Sequence, residues 1–83
     1  MTKVVLVRTG PLGKVAIETG QRTLRFKKKD YEFELGDVIM FYYPMDGMNV
    51  LMDGKYEVKE IESVTQGKYA ILSFRKIREY EDE

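Results

Sequence analysis

Five cations fall within eight positions, at Arg22, Arg25, Lys27, Lys28 and Lys29, with Thr23 and Tyr31 among and beside them. Between Arg22 and Lys28 polar and apolar residues alternate, with Leu24 and Phe26 on one parity and Thr23, Arg25 and Lys27 on the other. Period-two alternation is the mark of a half-buried strand. At a rise of about 3.3 Å per residue, charges of one parity stand roughly 7 Å apart. Arg25, Lys27 and Lys29 share that parity, a spacing suited to meeting several phosphates of one nucleic-acid strand. Thr23 and Tyr31 could then touch base or sugar. Tyr31, Tyr42, Tyr43, Tyr56 and Tyr69 are further candidates, as surfaces on which unpaired bases stack.

The chain has 83 residues, with no His, no Cys and no Trp. This composition excludes a disulfide scaffold, a zinc site built on Cys or His, a thiol nucleophile and a Ser-His-Asp triad. Asp46 and Asp53 each stand in a Met-Asp-Gly repeat and read as turn residues, so neither a metal nor a cofactor is expected. Net charge is zero, with 14 Lys+Arg against 14 Asp+Glu. The balance hides a division: residues 1–29 carry eight cations and one anion, and residues 30–83 six cations and thirteen anions. Such asymmetry suggests a basic binding surface with an acidic counterweight.

The elements that must position these groups are mostly short strands. Val4–Val7 reads as a buried strand and Gly10-Pro11-Leu12-Gly13 as a turn. Val15–Glu18 reads as a strand or a single helical turn, ended by Gly20. In the connection from Asp30 to Leu35, Phe33 and Leu35 are expected to plug the core. Gly36-Asp37 turns into Val38–Tyr43, apolar on both faces and therefore the central strand, which Pro44 should end. Two Asp-Gly turns bracket Met48–Leu51, predicting a protruding hairpin or a wide loop. Tyr56 and Val58 share a face and Ile61 breaks the parity, predicting a bulge near Glu60. Gln66-Gly67 turns into a last strand, Tyr69–Ile77, with Ala70, Leu72 and Phe74 inward, or Tyr69 and Ile71 if both faces are covered. Five to six strands with little helix predict a small mostly-β barrel over residues 1–78, followed by an acidic tail, 79–83. The N-terminal apolar run is too short for a signal peptide or a membrane span, so a cytoplasmic protein is expected.

The ordered set Gly20, Arg22, Thr23, Lys27, Asp30, Phe33, Gly36, Asp37 and Val38 resembles the ASCH-type branch of the PUA-like superfamily, in particular its small phage and bacterial members. Gly67-Lys68-Tyr69-Ala70-Ile71-Leu72 looks like the closing strand of such domains. The resemblance implies a PUA-like β-barrel and a bacterial host cytoplasm if the chain is phage-encoded. It also implies an alternative function, an amidohydrolase acting on modified nucleosides, in which a Lys, a Thr and a distant Glu take part. Here the family's Lys is Arg22, its Arg is Lys27 and its Glu is Arg25. A guanidinium stays protonated and cannot act as base or nucleophile, so the balance is against an enzyme. The expected function is non-enzymatic binding of RNA or single-stranded nucleic acid through the basic strand. The other alternative is a small phage-type protein that inhibits a host protein by docking through Met45, Met48, Leu51 and Met52, an adaptable apolar surface if exposed.

Overall fold

The computed structural model describes residues 2–78, so the acidic tail expected at 79–83 lies outside the described residues. The fold is mostly β. Its elements are β1 (Val4–Arg8), α1 (Pro11–Glu18), β2 (Thr23–Lys27), β3 (Val38–Met45), β4 (Met48–Leu51), β5 (Lys55–Val64) and β6 (Tyr69–Ile77). One sheet runs in the order β1-β3-β5-β6-β2, with β4 joined to β3. β1 and β3 are parallel, and the other pairs are antiparallel. No helix among the described residues is long and apolar enough to cross a membrane.

Side chains of one parity on each strand converge on a single core: Val7, Phe26, Ile39, Phe41, Tyr56, Val58, Ala70, Leu72 and Phe74. Phe41, Tyr56 and Phe74 form an aromatic triangle with centroids 5.4–5.6 Å apart, the separation at which tilted rings attract. The inward set Ala70, Leu72 and Phe74 on β6 and the alternation on β2 are as the sequence predicts. So is the bulge, which shifts the β5–β6 register between Val58 and Glu60.

The sheet does not close into the expected barrel. β1 and β2 are its two ends and do not pair. Side chains occupy the seam instead of a backbone ladder: Val7 and Arg8 of β1 face Leu24 and Phe26 of β2 across a concavity also lined by Tyr31. The amide of Arg8 donates a long 3.4 Å hydrogen bond to the Tyr31 hydroxyl. Tyr31, Phe33 and Phe26 pack as a second aromatic group, with centroids 4.9–6.2 Å apart.

Other expectations are corrected. Gly10-Pro11-Leu12-Gly13 is no free turn but the entry to α1, with Pro11 in the first helical turn, where its missing N–H costs nothing. Val15–Glu18 belongs to that helix and buries Ile17. Pro44 does not end β3. It sits opposite Asn49, beyond the last β1 pair at Arg8–Tyr42, where no ladder bond needs its N–H. Asp46-Gly47 then makes a two-residue turn with φ of 52° and 77°, the left-handed pair that suits a hairpin's twist. Leu35 is 66% exposed rather than a core plug, while Phe33 packs against the core as expected. β1 buries only Val7 fully; Val4 and Leu6 are exposed on the outer face.

Candidate nucleic-acid interface

β2 ends at Lys27, and a turn follows, closed by the Asp30 amide donating to the Lys27 carbonyl. The alternation through Arg25, Lys27 and Lys29 therefore does not run on as one straight strand. The turn instead folds Lys28 and Lys29 back beside the β5–β6 turn, where the Lys28 amide donates to the Lys68 carbonyl at 3.1 Å. Lys27, Lys28, Lys29 and Lys68, with Gly67 and Tyr69, line a concavity of about 460 Å³. Two more depressions adjoin it. One, through Lys28, has Phe26, Tyr31 and Phe33 in its wall; the other, through Lys27 and Tyr69, is the β1–β2 seam.

Lys68 comes from the acidic part of the chain, and sequence reasoning missed it. Its position follows from the β2–β6 register, in which Lys27 lies opposite Tyr69. A register between strands forty residues apart leaves no local signal.

On the outer face of the sheet, Arg25 is in line with Ile71 and Glu62, and Thr23 with Ser73 and Glu60. The carboxylates of that face thus stand two strands away, roughly 10 Å across the sheet, about one screening length at 0.1 M salt. Among the described residues the ion pairs are Lys3–Asp37, Lys14–Glu18, Lys59–Glu57 and Arg75–Glu57. The four lysines of the concavity take part in none of them.

Arg25 lies with its guanidinium 4.5 Å from the centre of the Tyr69 ring, and its Nη2 donates a long 3.4 Å hydrogen bond to Thr65 Oγ1. Thr65, Gln66 and Gly67 all have positive φ, 53°, 56° and 82°. For a β-branched threonine that is a strained conformation.

The remaining expected site residues are placed elsewhere or otherwise occupied. Arg22 is outside the cluster: its Nη1 donates to the carbonyls of Ile17 and Gln21 at 3.1 and 2.7 Å, and its guanidinium lies over Tyr56. It ties the end of α1 to the sheet. Thr23 is exposed at the far end of β2 from Lys27. Tyr31 is half-buried, stacked on Phe33. Tyr56 belongs to the core, Tyr43 lies beneath Lys14, and Tyr42 stands on the outer face beside Leu51. Met45, Met48 and Leu51 are exposed, but Met52 is buried, because its amide donates to Phe41 and its side chain joins the core.

Asp37, read from the sequence as a turn residue, is a fully buried carboxylate. It accepts from Lys3 Nζ at 2.8 Å, the Glu34 amide at 2.8 Å and the Lys3 amide at 3.3 Å. Burial pushes its pKa up, but the Lys3 ammonium and the two amides outweigh that and hold it below the usual carboxylate range. Its role is to fasten the start of β1 to the turn before β3. No group of three or more acidic side chains that could hold a metal ion exists among the described residues.

Compared with known proteins, the chain matches no family model and no curated protein.

Proposed function

We propose that this protein is a non-enzymatic nucleic-acid-binding module, with RNA the preferred ligand. The observation that carries the proposal is the gathering of Lys27, Lys28, Lys29 and Lys68 around one concavity, unpaired with any described carboxylate. Four ammonium groups at one end of a neutral protein form a local positive field that attracts a polyanion despite the overall balance. Flexible lysine stems suit phosphates whose positions vary. The aromatic walls of the adjoining depressions offer apolar surface where sugars or bases would lie. Resemblance to the ASCH-type, PUA-like domains adds to this reading. An amidohydrolase gains no support, because no hydrogen bond among the described residues pairs the Thr23 hydroxyl with a base and Arg22 is engaged with backbone carbonyls. Fluorescence anisotropy of labelled ten-nucleotide RNA and DNA at low salt tests the proposal. Saturable binding that is stronger for RNA is expected; no binding to either overturns it.

A second reading is favoured by the exposure of Met45, Met48 and Leu51 on the β3–β4 hairpin, an adaptable apolar surface for a protein partner. Replacing Met48 and Leu51 together by Asp would abolish such docking and leave nucleic-acid binding intact.

A further inference from the structure

We propose that Arg25 and Tyr69 form a ready-made stacking platform for one unpaired base, so that the ligand of this site is single-stranded. The proposal rests on the nucleic-acid reading and adds to it a contact that phosphate attraction does not supply. The guanidinium of Arg25 already lies over the Tyr69 ring, and Arg25 is exposed to solvent. Guanidinium planes and aromatic rings are the surfaces on which splayed bases stack. Lys27, two residues beyond Arg25 on β2 and opposite Tyr69, lines the lysine concavity. A base on the platform would therefore have its flanking phosphates within reach of Lys27 and Lys68.

The second observation is independent of the charge. The β5–β6 turn carries two non-glycine residues at positive φ, and one of them, Thr65, gives the hydroxyl that accepts from Arg25. Strain of this kind persists only where the surroundings enforce it, and it gathers at binding sites. Here it places Thr65 Oγ1 within hydrogen-bond reach of the guanidinium that lies over the ring. Thr65 is a positioning residue. A duplex keeps its bases stacked on one another and has none to offer, so it would meet the lysines alone.

The test uses a ten-nucleotide RNA with 2-aminopurine at its centre, as a single strand and as a blunt duplex, with binding followed by anisotropy and stacking by 2-aminopurine fluorescence. The wild type should quench the probe on binding and favour the single strand by roughly tenfold or more. Arg25→Lys keeps the charge and loses the plane. It should lose the quenching and about tenfold in affinity for the single strand, with the duplex affinity and the salt dependence unchanged. Thr65→Val should reduce the quenching while Arg25 and Tyr69 remain. Binding without quenching, or quenching that survives Arg25→Lys, overturns the platform and leaves the nucleic-acid reading standing. Failure of every oligonucleotide to bind overturns both.

Discussion

At the scale of single residues, the protein separates cations that hold the fold from cations that face solvent. Lys3, Lys14 and Arg22 are committed to Asp37, Glu18 and backbone carbonyls, while Lys27, Lys28, Lys29 and Lys68 surround an open concavity. Replacing any one of these four by Ala should weaken binding without regard to sequence and make the salt slope shallower by about 0.7 for single-stranded ligand. The same change at Lys14 should leave the slope alone, as anisotropy titrations at several salt concentrations would show. Asp37 provides a prediction of a different kind. Its pKa is held low in the folded state, so its contribution to stability is present above the unfolded value of about 3.9 and is lost as pH falls through the folded value. Asp37→Asn should cost on the order of 1–3 kcal/mol at pH 7, the worth of hydrogen bonds to a charged group. Thermal melts from pH 7 down to pH 3 should show the gap between wild type and variant narrowing below about pH 4.

At the scale of elements, what was legible in the sequence was whatever a local pattern determines. β2 shows its alternation, β6 its inward Ala70, Leu72 and Phe74, β5 its parity break, and the β3–β4 turn its Asp-Gly pair. α1 was only partly legible: Val15–Glu18 admitted a helical turn, but Pro11 and Gly13 in the first turn carry the same signal as a loop. The site was half legible. Arg25 and Lys27 to Lys29 are adjacent in the chain, but Lys68, Thr65 and Tyr69 reach them only through the β2–β6 register. Arg22 shares their stretch of sequence and not their place. The β3–β4 hairpin supports a prediction at this level. Gly47 has φ of 77° with nothing near an added Cβ, so Gly47→Ala should cost about 1 kcal/mol from backbone strain alone. By contrast, Met48→Asp with Leu51→Asp, both exposed, should change stability by no more than about 0.5 kcal/mol. Urea unfolding of the three proteins would check both statements.

At the scale of the whole molecule, zero net charge coexists with a lysine concavity that no described ion pair neutralises, with Asp30 and Glu32 lining the depressions beside it. The carboxylates of the outer face are two strands from Arg25, and Glu57 is engaged with Lys59 and Arg75. The open seam between β1 and β2, lined by Tyr31, brings aromatic walls up to the basic end. A closed barrel would have covered them. The most direct measurement is the slope of log affinity against log salt for a single-stranded RNA ten nucleotides long, in the wild type and in Lys27→Ala/Lys28→Ala/Lys68→Ala. Four phosphates met at once predict a wild-type slope near −3, made shallower by about 2 in the triple variant. A wild type that does not bind at low salt, or a triple variant with an unchanged slope, would contradict the assignment of this end of the sheet as the nucleic-acid interface.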